Sequence, residues 1–213
     1  MSVSAGLNSI ALTAVSNAEV IFVAPSALDR GLIVCGYPGV GKTSASGCRR
    51  SIIDLESSWF QKDDIWYSEY AKVAIELAGQ GFTVCTSMHS EVLDIFARFF
   101  DPAVPIGVPM DYNMYGKCGI FGCVIVVPDK ALKKQWKERL VRRYEESGSD
   151  KDERALKRSI DKFDRDISGA SGYGLPVKYL ASIDYQFEDV IDEIRMEYIK
   201  RWREGSARYS EAF

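Results

Sequence analysis

Gly31-Leu32-Ile33-Val34-Cys35-Gly36-Tyr37-Pro38-Gly39-Val40-Gly41-Lys42-Thr43-Ser44-Ala45-Ser46-Gly47-Cys48-Arg49-Arg50-Ser51-Ile52-Ile53-Asp54 is the stretch that decides the fold of this 213-residue chain. Residues 32–35 form an apolar run of the length of a buried strand. They lead into Gly36-x-x-x-x-Gly41-Lys42-Thr43, the Walker A pattern. Gly36, Gly39 and Gly41 allow a tight turn whose N–H groups converge on a phosphate. Pro38 stiffens that turn. Lys42 brings a point charge to the β- and γ-phosphates, and the Thr43 hydroxyl is placed to bind Mg²⁺. A helix starting near Gly41 aims its positive end at the same anion. The expected nucleotide-binding set is therefore Gly36, Tyr37, Pro38, Gly39, Val40, Gly41, Lys42, Thr43 and Ser44. The bland alternative, a glycine-rich turn ahead of a lysine, leaves the strand before it and the helix-compatible stretch after it unexplained.

Outward from this stretch, strands and helices alternate. Residues 51–58 read as a second strand with a polar exit, 66–78 as a helix stopped by Gly79-Gln80-Gly81, and 82–87 as a third strand. A helix over 91–100 is closed by Asp101-Pro102. The most apolar run, 121–127, reads as a fully buried parallel strand. Asp129 is a plausible N-cap for a helix whose Leu132, Trp136 and Leu140 face inward. After Ser147-Gly148-Ser149, a charged helix over 152–167 carries Ala155, Leu156, Ile160 and Phe163 as a thin apolar stripe. A last strand at 177–182 precedes a helix from Asp184, with Phe187, Val190, Ile191, Ile194, Tyr198 and Trp202 inward. This alternation predicts an α/β fold with a mainly parallel sheet covered on both faces. Residues 1–30 read as an N-terminal extension, with 10–15 and 20–24 as a hairpin or an edge strand. Residues 31–205 form the main domain.

The net charge of −3 does not point to non-specific nucleic-acid binding. The five cysteines, Cys35, Cys48, Cys85, Cys118 and Cys123, contain no Cys-x-x-Cys pair. They predict a reducing, cytoplasmic setting with no zinc site. No apolar run is long enough to span a bilayer, and the N-terminus lacks a signal-peptide layout, so no membrane partner is expected.

The second strand delivers Asp54 and Glu56, which strand alternation puts on one face. Phosphoryl transfer needs a carboxylate to hold Mg²⁺ or to accept a hydroxyl proton. Asp54 is the expected catalytic and metal-binding residue beside Thr43; Glu56 and Ser57 are expected at the acceptor. The alternative for Glu56 is a helix cap or an exposed strand end. The third strand ends without the usual Asp, which shifts the Mg²⁺ role toward Asp54. His89, the single histidine, either touches substrate or caps the next helix. The basic stretch 129–166 is either a solvated hairpin, with i,i+4 pairs such as Lys134–Glu138, Glu138–Arg142 and Lys157–Asp161, or a lid. As a lid, its arginines would close over the phosphates, with Arg139 and Arg143 catalytic and Arg142, Arg154 and Arg158 assisting. Tyr112, Tyr115 and Lys117 either roof an acceptor site or simply pack.

With the Walker A loop, the Ile-Ile-Asp-Leu-Glu-Ser-Ser strand, the strand running into Ser-Met-His-Ser-Glu-Val, and Val-Pro-Asp-Lys before an arginine-rich helix, the chain resembles the small P-loop nucleoside and nucleotide kinases. It is most similar to kinase-like P-loop NTPases of bacteriophages and their hosts. The resemblance covers residues 31–200. It implies a three-layer sandwich with a five-stranded sheet in the order 2-3-1-4-5 and a helical lid insertion between strands four and five. It also implies Mg²⁺-dependent transfer of the ATP γ-phosphate to a small-molecule acceptor, with residues 183–186 beside the adenine. The chain departs from adenylate kinases, because the Asp-Gly-x-Pro-Arg segment is absent and no arginine ends strand three. It also lacks Asn-Lys-x-Asp, which favours ATP over GTP. Two further readings stay open: an ATP-binding regulatory protein that hydrolyses slowly, and a polynucleotide 5′-hydroxyl kinase.

Overall fold

The computed structural model describes residues 30–100 and 120–210, with side chains up to residue 201. The expected N-terminal hairpin, the readings of Tyr112, Tyr115 and Lys117, Cys118, and the inward position of Trp202 lie outside the described residues or side chains. The elements run β1 (Gly31–Gly36), α1 (Lys42–Cys48), β2 (Ile52–Asp54), α2 (Trp66–Gly79), β3 (Thr83–Ser87), α3 (Ser90–Phe100) and β4 (Ile120–Pro128). They continue with α4 (Lys133–Ser147), α5 (Asp150–Gly169), β5 (Val177–Leu180) and α6 (Phe187–Ser210).

The five strands form one sheet in the order β2-β3-β1-β4-β5, and every neighbouring pair is parallel. Parallel neighbours need crossover connections, which the helices supply. β1 lies in the middle and is buried along its whole length, so both of its faces are covered. This is why its sequence reads as a continuous apolar run rather than an alternation. β4 is nearly as buried. β5, at the edge, has Val177 and Lys178 half-buried and Tyr179 exposed. Helix α2 lays Tyr70, Ala71, Ala74, Ile75 and Ala78 on the core, α3 adds Val92, Leu93 and Phe96, and α6 adds Phe187, Val190, Ile191 and Ile194.

The helical hairpin α4–α5 departs from expectation in three respects. Asp129 caps a short 3₁₀ turn, its carboxylate accepting from the Ala131 N–H at 2.8 Å, and α4 starts only at Lys133. Gly148 ends α4 in the left-handed conformation and Ser149 caps α5, which starts two residues earlier than the pattern suggested. Finally, Ile160 is half exposed; Phe163 is buried as expected, joined by Ser159 and Ile167, while Ala155 and Leu156 are partly buried against the core. Ion pairs cross between the two helices in this orientation: Arg143 with Asp152, and Lys133 with Asp164. Their charges reach across to the neighbouring helix, and the expected i,i+4 pairs are not among the described ion pairs. Trp136, Leu140, Phe163 and Ile167 join the same core as the sheet. Among the described residues no helix is long and apolar enough to cross a membrane.

Candidate functional site

Residues 36–43 connect β1 to α1 at the carboxyl edge of the sheet. The Tyr37 N–H donates to the Val126 carbonyl at 2.9 Å, which ties the start of the loop to β4, and the Val40 N–H returns to the Tyr37 carbonyl at 3.2 Å. Gly39 and Gly41 have φ of 87° and 101°, the left-handed region that favours glycine. A Cβ on Gly39 would also lie 2.8 Å from Leu140 Cδ2. Helix α1 follows at once, with Gly41 as an N-cap that offers no side-chain hydrogen bond. Its first N–H groups therefore have no capping partner from that residue. The Lys42 side chain folds back over the loop and its ammonium donates to the Gly36 carbonyl at 3.1 Å. Burial pushes this lysine's pKa down, against the carboxylates of Asp54 and Glu56, which push it up. Tyr37 and Val40 are fully buried, whereas Thr43 and Ser44 are exposed at the start of the helix.

Asp54 is the last residue of β2 and only 9 % exposed. The Thr43 hydroxyl donates to Asp54 Oδ2 at 2.6 Å. Oδ1 of the same carboxylate is buried without a hydrogen-bond partner. Burial raises the Asp54 pKa, against the Lys42 ammonium and the Thr43 hydroxyl, which lower it. An unpaired buried carboxylate oxygen is costly, and a hard cation would satisfy it. A hydroxyl and a carboxylate oxygen side by side are ligands of the kind Mg²⁺ takes, alongside water and phosphate oxygens. Helix α1 packs on β2, so β2 supplies the carboxylate that the end of β3 lacks.

Glu56 does not share the Asp54 strand face, because β2 stops at Asp54 and Glu56 precedes a 3₁₀ turn, Ser57–Trp59. Its carboxylate pairs with Lys151 at the start of α5. Both Lys42 and Asp54 feel the Lys151 charge. Lys151 is thus a hairpin cation beside Lys42 and Asp54, and sequence reasoning missed it. It is one lysine among many, and its reach depends on the left-handed turn at Gly148. The Ser57 carbonyl accepts from Lys62 Nζ at 2.5 Å.

The structure places the expected lid arginines as follows. Arg139 donates to the Ile183 carbonyl at 3.2 Å, Arg143 is paired with the buried Asp152, and Arg158 holds Asp166 at 2.7 Å and the Met88 carbonyl at 2.9 Å. Arg142 and Arg154 are exposed. His89 packs edge-on against Trp66, ring centroids 5.0 Å apart, and lies tilted to Tyr67 at 5.9 Å. Burial, followed by the charges of Arg158 and Lys62, pushes its pKa down to about 4. It is therefore neutral near pH 7 and brings no charge to a phosphate.

An open groove of about 770 Å³ lies beside the loop, between α4 and the segment after β5, lined by Arg139, Arg142, Ile183, Tyr185 and Gln186 among others. It includes residues 183–186, the segment expected beside an adenine. The Tyr185 hydroxyl joins the groove to the loop by donating to the Val40 carbonyl at 2.9 Å. Neither a protein-family model nor a curated protein sequence matches this chain.

Proposed function

We propose that the chain is a P-loop NTPase of the kinase type: a Mg²⁺-dependent phosphotransferase that uses ATP and passes its γ-phosphate to a small acceptor, a nucleoside or nucleotide. The observation that carries this reading is the pair formed by the Thr43 hydroxyl and Asp54, whose second carboxylate oxygen is buried and unpartnered beside a folded-back Lys42. Thr43 and Asp54 would hold the Mg²⁺. That ion, when bound, would neutralise phosphate charge. Lys42 and the loop N–H groups would hold the phosphates, and the groove along Arg139 and Tyr185 would take the base. The strand–loop–helix arrangement at the central strand, with β2-β3-β1-β4-β5 order, supports the P-loop reading. Catalysis of this kind is positioning plus electrostatic stabilisation. Asp54 would also orient the acceptor's hydroxyl.

The test is transfer from γ-labelled ATP with Mg²⁺ to a panel of nucleosides, nucleoside monophosphates, sugars and a 5′-hydroxyl oligonucleotide, with Lys42→Ala as control. A labelled nucleoside or nucleotide product that requires Lys42 is the expected result. Only free phosphate would replace the proposal with a hydrolysing regulator. Labelled oligonucleotide alone would replace the acceptor.

A further inference from the structure

Two side chains from outside the loop hold two of its carbonyl groups. Trp136 Nε1–H on α4 donates to the Pro38 carbonyl at 2.9 Å. The Tyr185 O–H, from the segment after β5, donates to the Val40 carbonyl at 2.9 Å. No described peptide bond is cis. In a trans peptide the C=O and the N–H that follows it point in opposite directions. A Pro38 carbonyl drawn toward Trp136 therefore turns the Gly39 N–H the other way. A Val40 carbonyl drawn toward Tyr185 does the same to the Gly41 N–H. Neither glycine N–H donates to a backbone carbonyl among the described loop bonds, whereas those of Tyr37 and Val40 do.

We infer that Trp136 and Tyr185 are positioning residues for polyphosphate binding: by holding the two carbonyls from behind, they aim the Gly39 and Gly41 N–H groups into the loop. The inference rests on the phosphate-loop reading above and says which side chains outside the motif make it work. Both donors are rigidly placed. Trp136 is fully buried and meets the Tyr37 ring edge-on at 6.5 Å. The Arg139 guanidinium lies 5.5 Å from the Trp136 ring and 5.4 Å from the Tyr185 ring, and also donates to the Ile183 carbonyl. One cation thus braces the two donors against each other. Burial, offset in part by Arg139, pushes the Tyr185 pKa up to about 12, so its proton stays in place as a donor. A Cβ on Gly39 would lie 2.8 Å from Leu140 Cδ2 and 3.4 Å from Trp136 Nε1, so α4 fills the space on that side of the loop.

The experiment measures affinity for inorganic tripolyphosphate and for ATP by calorimetry, in wild type, Trp136→Phe and Tyr185→Phe. Each variant keeps a ring and loses one donor. Ile75→Val, a core change on α2 away from the loop, controls for general loss of stability. Each donor variant is expected to bind both ligands about tenfold more weakly, as for a misdirected hydrogen bond to an anion, while Ile75→Val binds both as wild type does. Wild-type affinity in both donor variants overturns the inference. Loss of ATP affinity alone in Tyr185→Phe makes Tyr185 a base contact and overturns its positioning role. If wild type binds neither ligand, the phosphate-loop reading fails as well. If wild type binds both, Lys42→Ala binds neither and the donor variants are unaffected, only this inference fails.

Discussion

The loop 36–43 and the hairpin α4–α5 carry opposite kinds of information. The turn of the loop and its own contacts are readable from its eight residues: glycines at the two positive-φ positions, a lysine that folds back, a threonine that meets Asp54. The hairpin's role is not written in its own residues. It is rich in lysine and arginine, which suggests a mobile charged lid. Yet Trp136, Leu140, Phe163 and Ile167 belong to the same core as the sheet, and three of the five expected lid arginines are engaged with carbonyls or carboxylates of the protein itself. A charge pattern shows where a helix meets water. Where the helix docks is decided by a handful of apolar side chains and by what lies opposite them.

The contrast can be tested at its strongest point first. Lys42→Ala should lower phosphate transfer by about 10²–10³-fold, the scale for loss of one strong electrostatic stabiliser. Its thermal stability should be unchanged or higher, because burial disfavours the Lys42 charge. A loss of stability that matched the loss of activity would make Lys42 structural. Next comes the seam between the two regions. Gly39→Ala meets both a positive φ and Leu140 Cδ2 and should cost about 1–3 kcal/mol in chemical denaturation. Combined with Leu140→Ala, the two losses should be clearly less than additive, since each variant relieves the other's crowding. Strict additivity would separate the loop from the hairpin.

A smaller effect is expected from pH. The His89 pKa is pushed down from 6.5 to about 4. As pH falls below 6.5, the unfolded chain takes up a proton that the folded chain does not. Folding stability should therefore decline toward acid through that window, on the order of 1–2 kcal/mol by about pH 5. His89→Asn should flatten the decline in denaturation measured across pH. A slope equal to that of wild type would place the titration elsewhere. The smallest effect belongs to Arg154, exposed and with no described ion pair. Arg154→Ala should change stability by less than about 0.5 kcal/mol and leave transfer unaltered; a large loss of transfer would make it a lid arginine.

Unbroken apolar runs were enough to read β1 and β4, which are buried on both faces, whereas β2 and β5 end earlier than expected, at Asp54 and Leu180. The Thr43–Asp54 pairing was also legible, since a strand two elements along the chain had to bring a carboxylate near the loop. The fate of Glu56 was not. Alternation applies only while the strand lasts, and β2 ends at Asp54. Nor was Lys151 legible, because its position depends on the angle set at Gly148. Trp136 read as a core residue, which it is; only the three-dimensional packing turns its N–H toward the Pro38 carbonyl. Ile160 is exposed because α5 docks through Phe163 and Ile167, a choice of face that the single-helix pattern does not encode.

If the loop and Asp54 together bind Mg²⁺ with ATP, calorimetric ATP titration of wild type and Asp54→Asn, each with Mg²⁺ and with chelator, will separate the two proteins. ATP binding to wild type should strengthen markedly with Mg²⁺, and binding to Asp54→Asn should respond little to the metal. ATP binding by wild type that ignores Mg²⁺, or an Asp54→Asn variant with the full Mg²⁺ response, would contradict this joint binding.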